Sequence, residues 1–181
     1  MKTDCDDFYN SFVKPKPGQA LVVGSKIYPG RTDQRKKFEQ CIGLDMLEGD
    51  GVDLVWDLEN PLPKQYYNFS HVECCSVLEH ARRPWLVAKN MENSLRNGGT
   101  LFVSVPFVWR IHAYPNDYFR FTPEGLKSLF EKITFSEIRM IVKGKMFNYL
   151  DAPSFTIDDD GKEAVTFERC LVMGFGKKCG S

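Results

Sequence analysis

The sequence predicts an α/β protein built on a mostly parallel sheet, and three observations lead there. Short apolar runs alternate with helix-compatible segments from residue 20 to residue 105, which is the pattern of repeated βαβ units. The first run, ALVV (20–23), ends in a glycine-bearing loop that starts at Gly24. The next two runs each close on an acid, Asp45 and Asp57. In an open parallel sheet these positions lie at the carboxyl ends of the strands, where ligands bind at the topological switch point. Asp45, about twenty residues after Gly24, is placed to accept hydrogen bonds from a ribose diol.

The elements follow in order. Residues 4–13 place Phe8 and Phe12 four apart, which suits a short leading helix, and the prolines and glycine of 14–19 stop it. Strand one is 20–23. The loop 24–30 carries Pro29 and cannot be helical throughout; 31–40 holds a short polar helix whose QRKK (34–37) is a solvated face. Strand two is 41–45, LEGDG (47–51) is a turn, and strand three is 52–56. The proline-bearing connection 59–68 leads to strand four, 69–75. Glu79 and His80 follow at once, and Pro84 opens a helix to about Arg96, with Trp85, Leu86, Ala88, Met91 and Leu95 at helical spacing. Asn97-Gly98-Gly99 ends it, and strand five is 100–105.

Pro106 opens an aromatic loop, PFVWRIHAYPNDYFRF (106–121). Thr122 caps a helix that begins at Pro123, has Glu124 in its first turn, and runs to about Lys132. Two strand-like segments, 136–142 and 164–174, flank an acidic turn at 158–161. Two strands joined without a helix predict an antiparallel hairpin at the sheet edge, for seven strands in all. The expected organisation is a single domain over 1–181: leading helix and linker to 18, a cofactor-binding half over 19–105, a substrate half with the hairpin over 106–176, and a tail over 177–181.

Composition narrows the function. At 181 residues, 43% hydrophobic and 27% charged, the chain is the size and character of one soluble domain. A formal net charge of zero argues against a dedicated electrostatic nucleic-acid binder. No apolar run reaches the roughly 18–20 residues of a membrane span, and the acidic, aromatic start lacks a secretory h-region; a cytoplasmic protein is expected. The six cysteines contain no CxxC pair and read as buried reduced thiols, so no metal centre is expected.

The order of glycine loop, two strand-end acids, SVLEHARRPW (76–85), NGGTLFVSVPF (97–107) and a final hairpin resembles the class I S-adenosylmethionine-dependent methyltransferases. The small methyltransferase type 11 group is the nearest match, over roughly residues 18–132, and YPNDYFRFTPEGL (114–126) resembles a segment of some of its members. The resemblance implies a Rossmann-like three-layer sandwich and S-adenosyl-L-methionine as cofactor. It implies that Gly24 and Ser25 let backbone approach the methionine moiety and that Asp45 holds the ribose hydroxyls. Met46 would pack on the adenine, Asp57 and Leu58 would flank its edge, and Cys75 and Ser76 would lie near the amino-acid end. The loop departs from the family where Lys26 and Tyr28 replace later glycines. Two alternatives therefore stand: a non-catalytic binding protein on this fold, and a nicotinamide-dependent oxidoreductase, against which the missing GxGxxG counts.

The acceptor side is expected in the 106–121 loop, where His112, Tyr114, Asp117, Tyr118 and Arg120 supply acid, base and anion-pairing groups. His112 or His80 could serve as base, with Asp117 or Arg120 orienting the substrate; the competing reading is an aromatic lid whose Arg120 is bridged to Asp117. Glu79 is expected to brace the loop by hydrogen bonds. No [DNS]PP[YF] sequence follows strand four, which disfavours amino-methylation of DNA bases in that manner. With no long insertion to cap a substrate, the methyl acceptor meets either an open pocket or one closed by a second subunit in a homodimer.

Overall fold

In the computed structural model, residues 10, 18–30, 33–112, 115–142, 145–148 and 170–180 are described. All but residue 10 of the expected leading helix, Tyr114 and the acidic turn fall outside them.

Four buried apolar residues make β1 (Ala20–Val23), which pairs in parallel with β2 (Cys41–Asp45) on one side and β4 (Phe69–Cys75) on the other. Strand β3 (Leu54–Val55) adds to β2, and β5 (Leu95–Val108) to β4, both parallel. Beyond β5 the chain makes β6 (Ile133–Val142), β7 (Lys145–Asn148) and β8 (Cys170–Lys178). The sheet order is β3-β2-β1-β4-β5-β8-β6-β7. Strand β8 lies antiparallel between β5 and β6, so the α/β, Rossmann-like class with its terminal antiparallel pair is as expected.

Among the described residues the sheet has eight strands, one more than the seven expected, because β7 pairs antiparallel on the outside of β6. Strand β8 also runs through Lys178, into the stretch expected as tail. There the Lys178 ammonium donates to the Leu95 carbonyl at 2.6 Å, and the Cys179 amide to the Lys132 carbonyl at 2.9 Å.

The connections are shorter than expected. Among the described residues between β1 and β2, a 3-10 turn forms over Gln34–Lys37, capped by Asp33; four polar residues offer no apolar stripe to hold a longer helix on the sheet. Helix α1 (Pro84–Ser94) buries Ala88 and Met91 of the expected stripe, with Leu95 buried just past its end, adds Pro84 and Val87, and leaves Trp85 exposed. Helix α2 (Pro123–Ser128) starts as expected, with Thr122 Oγ1 accepting from the Gly125 amide at 3.0 Å, but stops after six residues. Strand β5 passes through Pro106 and shifts register against β8 between Pro106 and Val108; a residue with no N–H to donate sits where pairing is already interrupted.

Alternation along the strands divides the apolar residues. Leu21, Val23, Val72, Cys74, Leu101, Val103, Val105 and Val172 enter the main core with α1 and α2. Phe102, Ile141 and Met173 form a smaller cluster on the other face. That second face also buries charge: Glu73 is ion-paired with Lys37 at 3.3 Å, and His71 Nδ1 meets Thr100 Oγ1 at 2.8 Å.

The described cysteines are free thiols. Burial pushes the Cys170 thiol up to about 11 and raises that of Cys74 as well. Since the thiolate is the reactive form, iodoacetamide is expected to label exposed Cys179 in the native protein and to spare Cys74 and Cys170 until denaturant is added. Peptide mass mapping reads this directly, and native labelling of Cys170 at the Cys179 rate would contradict the packing.

Candidate functional site

The carboxyl ends of β1 to β5 form one crest. At the end of β1, Gly24 takes φ +73°, and a Cβ there would stand 2.4 Å from Val77 Cγ2. The site thus requires glycine twice over, by conformation and by contact. The amides of Gly24 and Ser25 both donate to the Leu44 carbonyl, at 2.8 and 3.1 Å. Ser25 is buried and its hydroxyl faces Gly43 on β2. The exposed backbone at Gly24 is thus open to a ligand, while the Ser25 side chain is buried.

Asp45, half-buried, closes β2. One carboxylate oxygen accepts from the Leu47 amide at 3.0 Å and the other from the Lys26 amide at 3.3 Å. An ionised carboxylate has about four lone-pair sites, so each oxygen keeps capacity for a hydroxyl donor. Met46 beside it is 50% exposed. Asp57 is exposed and accepts from the Glu59 amide at 2.9 Å. Its loop is tied to α1 at two points. Asn90 Nδ2 donates to the Leu58 carbonyl at 2.9 Å, and Glu59 takes the Arg83 amide and Nε at 2.9 and 2.7 Å. The Leu58 side chain belongs to the main core, which leaves only its backbone for a ligand.

At the end of β4 the Cys75 side chain packs with the second-face cluster. Ser76 is exposed at φ +54°, its amide held by the Ser104 carbonyl at 2.9 Å. A non-glycine residue in the left-handed region is uncommon, and here it turns the chain from β4 into the 3-10 segment Leu78–His80.

That segment meets the loop after β5. Asp117, its side chain 3% exposed, binds Arg120 through both oxygens at 2.5 and 2.7 Å. Arg120 also donates to the carbonyls of Trp109, Arg110 and Phe119. The guanidinium holds the Asp117 carboxyl well below the usual carboxylate range. Both groups are spent on the loop itself, so they brace it and do not stand free to orient a substrate. Phe107, Val108 and Phe119 pack against the main core and Phe121 lies within it.

Two histidines and one acid converge behind this brace. His80 Nδ1 meets the Asn116 carbonyl at 2.5 Å, and burial lowers its affinity for a proton. The His112 ring lies 4.8 Å from it, edge to face. Its Nδ1 is 3.1 Å from Asp117 Oδ2, whose same oxygen accepts the His112 amide at 2.8 Å. Glu79 is 1% exposed; burial, with Asp117 adding to it, pushes its carboxyl up to about 8. The expected brace exists, but through the Glu79 carbonyl, which accepts the amides of Tyr118 and Phe119 at 2.8 and 3.3 Å. Among the described residues, the carboxyl Oε2 has no hydrogen-bond partner. Sequence spacing gave no hint of this group, because His112 lies far along the chain from Glu79 and the two loops meet only in the folded sheet.

No family model and no curated protein matches this chain. Solved structures do. A chain from the complex of the Haloferax volcanii Trm112 methyltransferase activator with a methyltransferase is 16% identical, with a TM-score of 0.64 over 98% of this chain and 90% of that one. Burkholderia thailandensis 1,6-didemethyltoxoflavin-N1-methyltransferase, solved with S-adenosylhomocysteine, is 13% identical, with a TM-score of 0.64 over 98% and 77%. The N-methyltransferase NodS of Bradyrhizobium japonicum, also solved with S-adenosylhomocysteine, is 12% identical, with a TM-score of 0.54 over 88% and 77%. Strand order, reversed β8 and these likenesses agree: the chain has the fold of the class I methyltransferases.

Proposed function

We propose that the protein is an S-adenosyl-L-methionine-dependent methyltransferase. One observation carries the reading: the Asp45 carboxylate closes β2 with lone pairs to spare, beside Gly24 and at the switch point of the sheet. The reversed β8 between β5 and β6 favours it over a nicotinamide oxidoreductase, whose usual six-stranded sheet has the order 3-2-1-4-5-6 with no such reversed strand inserted beside the fifth. Two neighbours of this fold were solved with S-adenosylhomocysteine, which supports the cofactor.

In this reading Asp45 accepts the ribose hydroxyls, exposed Met46 packs on the adenine, and Asp57 with the Leu58 backbone meets the adenine edge. The cofactor supplies an activated methyl group, and the protein contributes alignment. The acceptor enters beside the 106–121 loop. His80 and His112 are the groups able to take a proton from a hydroxyl acceptor, whose oxygen must lose it as the new bond forms. Among the described residues no helix is long and apolar enough to cross a membrane.

The test is calorimetric titration with S-adenosylhomocysteine. Binding is expected in the wild-type protein, weakened roughly 10- to 100-fold by Asp45→Ala, since a hydrogen bond to a charged group contributes about 1.5–3 kcal/mol. Binding of NAD alone, or no change on Asp45→Ala, would overturn the reading. Binding with no methyl transfer to any pool of small-molecule or macromolecular acceptors would favour the non-catalytic alternative.

A further inference from the structure

We propose that Glu79, His80 and His112 form a binding site for a divalent transition-metal cation of the zinc class, set by the convergence of one donor atom from each within 4.8 Å. Three independent features of the cluster point the same way.

The first is the unpartnered carboxyl oxygen. Glu79 Oε2 is buried without a hydrogen-bond partner among the described residues, a costly state for a polar atom. Its other oxygen lies 3.8 Å from His80 Nε2. A cation held by His80 Nε2 and by the Glu79 carboxylate in bidentate fashion would engage both carboxylate oxygens.

The second is how the two rings are held. His80 Nδ1 faces the Asn116 carbonyl, an acceptor, so this nitrogen carries the proton and Nε2 presents a lone pair. His112 Nδ1 faces the Asp117 carboxylate and, at 3.2 Å, the Arg110 carbonyl, again acceptors, with the same consequence for its Nε2. Metal-binding histidines are oriented in this way, with the far nitrogen donating to a carbonyl or carboxylate. The Asp117–Arg120 brace then gains a purpose, since it fixes the carboxylate that orients His112.

The third is the donor set. Two imidazoles and one carboxylate suit zinc and its neighbours rather than magnesium or calcium, which prefer all-oxygen ligands. Bonds of about 2.0–2.2 Å place tetrahedral ligand atoms about 3.4 Å apart. Glu79 and His80 are already near that spacing, and His112, on the loop, makes the remaining approach. Three protein ligands leave a position open for water or for an oxygen of the acceptor. With the cation bound both Nε2 lone pairs are spent, so activation of a hydroxyl passes from the histidines to the metal.

The experiment uses Co2+ and Zn2+ alone on the full chain. Co2+ is expected to bind one to one and to give a visible d–d band of four- or five-coordinate intensity without a thiolate charge-transfer band. In the wild-type protein, Zn2+ is expected to shift the Nε2 resonances of His80 and His112 and to spare His71, the third histidine of the chain. His112→Ala and Glu79→Gln are each expected to weaken Co2+ binding at least 10-fold, while His71→Gln leaves it unchanged. A silent visible spectrum, Nε2 shifts confined to His71, or metal affinity indifferent to His112→Ala would overturn the proposal. The nitrogen resonances need no variant, so a variant that fails to fold leaves the test intact. S-adenosylhomocysteine titration of the same sample separates this outcome from that of the methyltransferase reading.

Discussion

Replacing Gly43 by alanine is expected to destabilise the protein by about 3 kcal/mol, at the upper end of what overpacking usually costs, and to weaken S-adenosylhomocysteine binding along with it. Gly43 is a buried residue within β2, and a Cβ there would stand 2.2 Å from the Gly51 carbonyl, 2.7 Å from Ser25 Oγ and 2.8 Å from Arg35 Cδ. The nearest obstacle is backbone and cannot rotate away. It also belongs to the turn that holds the loop after β1, since the Ile27 amide donates to the Asp50 carbonyl at 2.8 Å and Gly51 abuts the Ser25 carbonyl. Prising this turn from β2 displaces Lys26, whose amide bonds Asp45, so a stability defect becomes a binding defect. Gly30→Ala is the control: nothing lies within 4 Å of the added atom, and only the positive φ opposes it, at about 1–2 kcal/mol. Urea unfolding of both variants measures the difference, and equal losses would contradict the contact argument.

Glu79→Gln is expected to stabilise the metal-free protein at pH 8 while leaving it little changed at pH 5. The Glu79 carboxyl sits against Asp117, Arg120 and the two histidines, and burial pushes it from its ordinary value of 4.5 up to about 8. A carboxyl raised in the folded state holds its proton there while the unfolded chain gives it up. The folded state therefore loses stability as pH rises above about 4.5, and the loss levels off once pH passes about 8. At 1.36 kcal/mol per pH unit the full effect is on the order of 4–5 kcal/mol, with solvent access and relaxation reducing it. The neutral amide removes the penalty, so the wild-type and Glu79→Gln stability curves should converge at acid pH and separate toward pH 8. Denaturant melts at pH 5, 6.5 and 8 in the presence of a chelator read this, and parallel curves would show that the carboxyl is not the group in question.

The two predictions touch residues of opposite legibility. Strands β1, β2 and β4 match their expected bounds to the residue, because each is a short run bounded by turn residues, with every residue of β1 and most of β4 buried. Asp45 follows from β2, which it closes, whereas β3 spans Leu54–Val55 rather than the expected 52–56 and leaves Asp57 beyond the strand end. The cap at Thr122 is equally local, a side chain bonding an amide three residues on. What failed locally was extent: α2 is shorter and β5 longer than expected, because neighbours in space decide where pairing ends.

By itself, then, the sequence determined the layers and the place of Asp45 at the end of β2, both of which rest on periods of two or four residues and on turn chemistry. Only the tertiary structure decided that the Ser25 side chain is buried and that of Cys75 packs with the second-face cluster, that Asp117 and Arg120 spend their charges on each other, and that Glu79 meets His112. Those outcomes depend on which loops the sheet order makes neighbours, and a contact between residues so far apart along the chain leaves no period behind in the sequence.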